Sequence, residues 1–382
     1  MRILCFTGTR ADYGIYRPLL QALNREEDIN LRLVVTGMHL VEEYGRTITA
    51  VQKDGLEIVA APSILVRGDA TCQMSQSVGL AVLYFAEILS SHCPEFVLLL
   101  GDRGEMLAAA VAAHYQNIGI VHLYGGECSG SADDTVRHAI SKLAHLHFVS
   151  TRRSKANLIS MGEEAWRIVP VGTLRKHDIK RAGNLHPELA KAWSEKYHLN
   201  SGTKNILVCM HPDTKEELEL SKQIDSVVDA LDGINEANII IIGPNSDAGS
   251  DLFRDKLVNF SNKRGNCTFL ASVDSDEYLF LLSRVDLLVG NSSSGIIEAP
   301  FFNLPFINVG RRQQGRECGS NVLSLPYHSR LIREAIVKLL QSAKGEVTWN
   351  PYDLLDEPAR LIVQRLREMA NAKKVWHKST VF

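Results

Sequence analysis

The sequence predicts an α/β protein made of two doubly wound parallel sheets, each in its own domain. Short runs rich in Val, Ile and Leu recur along the chain and end in polar, glycine-containing turns: RILCFTGTRADYG, LRLVVTGMH, FVLLLGDRGEM, IVHLYGGE, NILVCMHPD, NIIIIGPNSD and DLLVGNSSSG. Each leads into a segment of helical periodicity, so strand and helix alternate. Runs that are apolar at every position are buried on both faces, which in practice means parallel strands covered by helices on either side. The rhythm pauses once, around VPVGTLRKHDIKRAGNLHPELAKAW, and resumes at KNILVCMHPD. With 382 residues, more than one compact domain normally holds, the pause divides the chain into domains at residues 1–175 and 176–356. A C-terminal helix within about 357–382, in EPARLIVQRLREMANAKK, packs back on the first domain in this reading.

Hydrophobic residues make up 45%, charged residues 23%, and the net charge is −2, an ordinary soluble composition. Without a basic excess or a basic run, neither nucleic acid nor a membrane surface is an expected partner, and small-molecule chemistry is. The seven cysteines are scattered with no CxxC pair, which favours a reducing cytoplasm. The apolar segment at the N-terminus is too short for a secretory signal, and no apolar run approaches the roughly 20 residues of a membrane span. GxxxxGK[ST] is absent, and no convincing GxGxxG follows the first strand, so a P-loop enzyme and a common dinucleotide dehydrogenase are both disfavoured.

Open parallel sheets bind ligands outside the carboxyl ends of their strands. The loops there carry Arg10, Asp102, Arg103, Glu127, His211, Asn245 and Ser292 to Ser294, and two facing domains would bring both sets to one interdomain cleft. The serine run is the most constrained. The first N–H groups of a helix lack partners and its dipole attracts anions. Glycines flanking Ser292 to Ser294 let a phosphate approach, and the hydroxyls add donors. Glu298, one turn beyond Ser294, suits a ribose diol, so the stretch fits a nucleoside diphosphate. The alternative is one serine acting as a helix cap with Glu298 as a first-turn acid.

In GDRGEM, Asp102 fits an N-cap with Glu105 completing a capping-box-like pair, and Arg103 fits the surface. GGECSGSADDTVRHAISKLAHLH gathers Glu127, Asp133 and Asp134 with no basic residue before Arg137. Clustered carboxylates raise one another's pKa, which is how one stays protonated as an acid while another serves as base. Alternatively Asp133 and Asp134 simply favour a helix N-terminus capped by Ser131. His138, His145 and His147 lack the further ligands a zinc site needs, so structural roles or substrate contacts are expected and no metal. His211, at the end of an apolar strand, is placed to donate to a phosphate oxygen.

TGTRADYG, GDRGEM, GGECSGSADDTVRHAISKLAHLH, HPDT, GPNSDAGS, GNSSSGIIEAP and GRRQQGRE, in this order, resemble the hydrolysing UDP-N-acetylglucosamine 2-epimerases of sialic acid and related nonulosonic acid biosynthesis. The resemblance implies a glycosyltransferase-B type fold of two Rossmann-like domains, a homo-oligomer (dimer or tetramer), no redox cofactor and no obligatory metal. It implies nucleotide contacts at Arg10, Gly14, Arg103, His211, Asn245, Ser292, Ser293, Glu298 and Arg312. Chemistry falls on Asp102, Glu127 and Asp133, with Asp134 and His138 alongside. The implied substrate is UDP-N-acetylglucosamine, or a 2,4-diacetamido-6-deoxy sugar carried on UDP or GDP as in legionaminic acid pathways. The pattern departs at Tyr124, where mammalian-type members carry a glutamate, and at VGTLRKHDIK.

Overall fold

The computed structural model describes residues 1–66, 71–130, 133–199, 202–244, 249–372 and 376–379. Its first part runs β1 (Arg2–Thr7), α1 (Arg10–Asn24), β2 (Asn30–Val35), α2 (Ile48–Lys53), β3 (Ile58–Ala60), α3 (Thr71–His92), β4 (Phe96–Leu100), α4 (Gly104–Tyr115), β5 (Gly119–Leu123), α5 (Asp133–Leu143), β6 (Leu146–Val149), α6 (Arg152–Ser160), β7 (Ile168–Pro170) and α7 (Lys176–Gly183). The second runs α8 (Pro187–Lys196), β8 (Lys204–Cys209), α9 (Leu220–Asp232), β9 (Ala237–Ile242), α10 (Ser250–Asn262), β10 (Cys267–Leu270), α11 (Ser275–Arg284), β11 (Leu287–Gly290), α12 (Ser294–Ile297), β12 (Phe306–Val309), β13 (Val322–Leu325) and α13 (Ser329–Gln341). Last comes α14 (Pro358–Ala370).

The chain divides into two compact units: residues 1–128, 132–177 and 352–382 form the first, and 129–131 with 178–351 the second. The first holds a seven-stranded sheet in the order β3-β2-β1-β4-β5-β6-β7, the second a six-stranded sheet in the order β10-β9-β8-β11-β12-β13. Every adjacent pair is parallel. In both sheets the winding reverses next to the first strand, between β1 and β4 and between β8 and β11. Connecting helices diverge there and leave a crevice at the carboxyl ends of those strands.

The predicted burial on both faces is realised by period-two alternation. Ile3 and Cys5 of β1 enter one apolar layer with Leu98 of β4, whereas Leu4 and Phe6 enter the opposite layer with Val97 and Leu99. The run LRLVVTGMH departs from expectation, because two 3-10 turns, Gly37–Leu40 and Glu42–Tyr44, precede α2 where a helix was predicted directly. All seven cysteines are free thiols. Among the described residues no helix is long and apolar enough to cross a membrane.

Helix α14 lays Ile362, Val363 and Leu366 into the core of the first unit, against α1. Beyond it Trp376 stacks on Phe96 with centroids 5.4 Å apart. Lys378 donates to the carbonyls of Ser141, Lys142 and Ala144, at the C-terminal end of α5 where carbonyls lack helical partners. The Lys378 ammonium also lies 2.7 Å from the buried Glu163 carboxylate, which His147 and Lys142 approach as well. Burial alone would raise the Glu163 pKa. Hydrogen bonds from His147, Lys142 and Lys378 outweigh it and draw the carboxyl down to about 2. His147 and His145, whose ring accepts from Ile120 N at 3.1 Å, take the structural role, one of the two expected for them.

Candidate functional site

At the carboxyl edge of the first sheet the loops after β1, β4 and β5 bring together most of the predicted residues. Arg10 and Gly14 lie in the opening turns of α1, whose N-cap Thr9 accepts from Asp12 N. Gly101 turns the chain after β4 at φ 73°, and His122 Nε2 sits 2.8 Å from its carbonyl, fixing the peptide that carries Asp102. Burial pulls His122 down to about 3, so its ring is neutral and Nε2 is the donor.

The capping-box reading of Asp102 and Glu105 is not borne out. Arg103 occupies the N-cap of α4 without a side-chain cap. Glu105 instead turns inward and accepts from Arg103 Nε at 2.7 Å. Room for that carboxylate exists because residue 8 is glycine: a Cβ there would meet Glu105 Oε1 at 2.0 Å. Arg103 is therefore a braced cation of the site rather than a loose surface residue.

Asp102 has a different partner. Arg137, buried in α5, donates through Nη2 to Asp102 and through Nη1 to Asp134 Oδ1 at 2.5 Å and to the Glu127 carbonyl at 2.9 Å. Burial by itself would lower its pKa, but the two carboxylates hold it above the ordinary value. Of the three acids expected to repel one another, Asp134 is thus paired with a cation instead, since the guanidinium fork bridges it to Asp102. Glu127, only 5% exposed, accepts from Ser150 Oγ. Asp133 is half-buried in the first turn of α5, and Ser131, the predicted cap, lies outside the described residues. His138 is half-buried one helical turn on; burial, with Arg137 beside it, lowers its pKa. Asp12, which sequence reasoning passed over, is pushed up to about 7 by burial, with Arg103 opposing and Glu105 and Asp102 reinforcing.

At the carboxyl edge of the second sheet the organising residue is Asn291. Its Oδ1 accepts from His211 N and its Nδ2 donates to His211 O, both at 2.8 Å, so the loops after β8 and β11 are clamped together. Gln313 Nε2 and Arg312 Nη1 both reach the Asn291 carbonyl, at 3.0 and 3.4 Å, which adds the loop after β12. Of the predicted residues, His211, Ser292, Ser293, Glu298 and Arg312 gather here. Asn245 lies outside the described residues.

The serine run needs one correction. Helix α12 has only four residues and passes into a 3-10 turn, Ala299–Phe302, that ends at Asn303 with φ 50°. Pro300 lacks the N–H a longer helix requires and disfavours the helical conformation before it. So short a helix accumulates little macrodipole, and any anion here is held by local N–H groups and hydroxyls instead. The capping alternative holds only in part: Ser293 at the N-cap makes no side-chain cap, but Ser292 Oγ accepts from Ser294 N at 3.4 Å, and Glu298 stands at the C-cap rather than in the first turn. Ser294 is turned inward onto the Tyr278 phenol, and its Oγ lies 3.1 Å from Ser292 Oγ; Ser292 and Ser293 are half-buried. Glu298 is buried, and its charge is felt at Tyr278. Among the described residues no three His, Cys, Asp or Glu side chains group as a metal site would require.

The model of the family UDP-N-acetylglucosamine 2-epimerase matches residues 21–363. The Legionella pneumophila protein named UDP-N,N'-diacetylbacillosamine 2-epimerase (hydrolyzing) is 40% identical over 341 residues, 88% of this chain and 89% of that one. The Campylobacter jejuni GDP/UDP-N,N'-diacetylbacillosamine 2-epimerase (hydrolyzing) is 34% identical over 325 residues, 84% of this chain and 83% of that one. Among solved structures, UDP-GlcNAc 2-epimerase from Neisseria meningitidis bound to UDP-GlcNAc matches with a TM-score of 0.81 at 17% identity, covering 96% of this chain and 100% of that one. That likeness bears out the fold class: glycosyltransferase-B type, with two Rossmann-like domains. By its family model and its relatives, this chain is a member of the UDP-N-acetylglucosamine 2-epimerase family.

Proposed function

We propose that the protein is a hydrolysing 2-epimerase. It converts UDP-N-acetylglucosamine, or a UDP- or GDP-linked 2,4-diacetamido-6-deoxy analogue, to the free N-acetylmannosamine-type sugar and the nucleoside diphosphate. The observation that carries this reading is the group of acids at the edge of the first sheet: Arg137 bridges the Asp102 and Asp134 carboxylates and holds the Glu127 carbonyl, and Asp133 opens the same helix. The names of the two hydrolysing relatives support it.

In this mechanism a carboxylate removes the proton from C2, the carbon bearing the acetamido group. The electron pair of that C–H bond forms the C1=C2 double bond as the bond from C1 to the diphosphate oxygen breaks, giving a 2-acetamidoglucal. Water then adds its oxygen to C1 while C2 receives a proton on the opposite face. Acid and base must therefore act on two faces, and carboxylates from the loops after β4 and β5 and from α5 supply both. Arg103 and Arg10 carry charge developing on the departing diphosphate. His211, Asn245, Ser292, Ser293 and Arg312 hold the nucleotide, with Glu298 accepting from the ribose and Gly14 giving the backbone room.

Proton NMR of reactions in deuterium oxide, with a panel of UDP- and GDP-linked amino sugars, tests this. Free sugar deuterated at C2 together with nucleoside diphosphate is expected, and Asp102→Asn or Glu127→Gln should slow turnover by about 10²-fold or more. A deuterated sugar still attached to its nucleotide would instead mark a non-hydrolysing epimerase. Nucleotide release that requires an acceptor, without deuterium uptake, would mark a glycosyltransferase.

The active form is, in this proposal, a homodimer or homotetramer. Helix α3 presents Leu80, Leu83 and Tyr84, 38%, 67% and 45% exposed, at spacings that place them on one face. A second copy of the same helix covers such a face at least cost. Sedimentation should give a dimer or larger species, and Leu83→Glu should shift it toward monomer; a monomeric wild type would rule the assembly out.

A further inference from the structure

We propose that Tyr124 is a positioning residue for Glu127: its side chain, anchored on the backbone of Leu174, holds the turn that delivers the Glu127 carboxylate. The inference rests on the proposed function, in which Glu127 takes part in proton transfer. Tyr124 follows the last residue of β5 and has φ 64°, a left-handed conformation strained for so bulky a side chain. Glycine would adopt it freely, as Gly126 does two residues later at φ 77°. The chain nevertheless places a phenol here and buries it to 6% exposure. That phenol oxygen accepts from Leu174 N at 2.8 Å, and Leu174 is itself 1% exposed in the same apolar layer. At the other end of the residue, Tyr124 N donates to Phe148 O at 2.8 Å. The residue is thus pinned through both its main chain and its side chain.

A pinned turn matters because of the three residues after it. Gly125 and Gly126 cannot shift toward their neighbours: a Cβ at Gly125 would meet His122 Nδ1 and Ser141 Oγ, each at 2.7 Å, and one at Gly126 would meet Ser154 O at 2.4 Å. The third residue is Glu127. Its carboxylate meets Ser150, and its carbonyl takes one N–H of the Arg137 fork that also grips Asp102 and Asp134. A small rotation at Tyr124 therefore displaces Glu127 directly and disturbs the guanidinium that aligns two further acids. Leu174 belongs to VGTLRKHDIK, so the anchor also gives that segment a role in setting the acids.

Steady-state kinetics on the full chain, with the pH dependence of kcat, test the proposal with four variants. Tyr124→Phe keeps the ring and deletes the acceptor. Tyr124→Gly removes both the strain and the anchor. Ile362→Ala weakens the same apolar layer on α14, far along the chain from the site, and Glu127→Gln reports on the acid itself. Glu127→Gln is expected to lose activity. Tyr124→Phe and Tyr124→Gly should each lower kcat by roughly tenfold or more with KM nearly unchanged and a displaced pH profile, because misplacing a reacting group slows chemistry without weakening binding. Ile362→Ala should lower the melting temperature and leave kcat alone. Either Tyr124 variant retaining wild-type kcat and pH profile while Glu127→Gln is inactive overturns this inference alone. A fully active Glu127→Gln overturns both it and the assignment of Glu127 to the chemistry.

Discussion

Gly290→Ala is expected to unfold the second unit at growth temperature and to abolish nucleotide binding. Gly290 ends β11 at φ 149°, opposite Cys209 in register with β8. A Cβ there would lie 1.9 Å from Cys209 O and 2.6 Å from its carbonyl carbon. Both contacts are backbone atoms in the middle of a parallel sheet, so neither strand can yield without breaking the ladder, including the bond from Asn291 N to Cys209 O at 3.1 Å. Steric conflict and an unfavourable φ together should cost about 3 kcal/mol or more, a large share of a domain's stability. Pushing β11 from β8 also separates Asn291 from His211, so the two clamped loops part. Urea unfolding and UDP titration of the variant check this, and a wild-type midpoint with intact UDP affinity would refute it.

Arg137→Ala should give the next largest effect, on both stability and turnover. Its guanidinium is the common partner of Asp102, Asp134 and the Glu127 carbonyl. Without it two partly buried carboxylates face each other with no cation between them. Removing one partner of a buried ion pair costs about 3–5 kcal/mol, and the loss of alignment should lower kcat/KM by roughly 10²–10³-fold. Arg137→Lys should recover stability better than activity, because an ammonium supplies the charge but not the planar fork. Thermal unfolding and kinetics of the two variants together check this; a lysine variant with full kcat would show that charge alone suffices.

Much of the fold was legible because its cause is local. Continuous apolar runs such as Phe96 to Leu100 are buried on both faces, which in practice means a parallel sheet, and Gly101 marks the turn at the end. The candidate site residues were named from where those turns fall. What stayed hidden depends on contacts between distant segments. Glu105 facing Gly8 and the Asn291 clamp on His211 join residues that no spacing rule connects. Arg137 was partly visible, three residues after Asp134 on one helix face, but its reach to Asp102 was not. The brevity of α12 had a readable signal in Pro300, which the apolar pattern of GIIEAP obscured.

The first unit is discontinuous, and that has a consequence for the newly made chain. All seven strands of its sheet leave the ribosome before residue 178, yet α14 and Lys378 emerge only after residues 178–351 have been translated. At about 5–20 residues per second the wait is on the order of tens of seconds. Throughout it the surface that Ile362, Val363 and Leu366 later cover on α1 stands bare, as does the face of the Phe96 ring on which Trp376 stacks. The nascent polypeptide, more than the finished protein, is therefore the species that calls for chaperone protection.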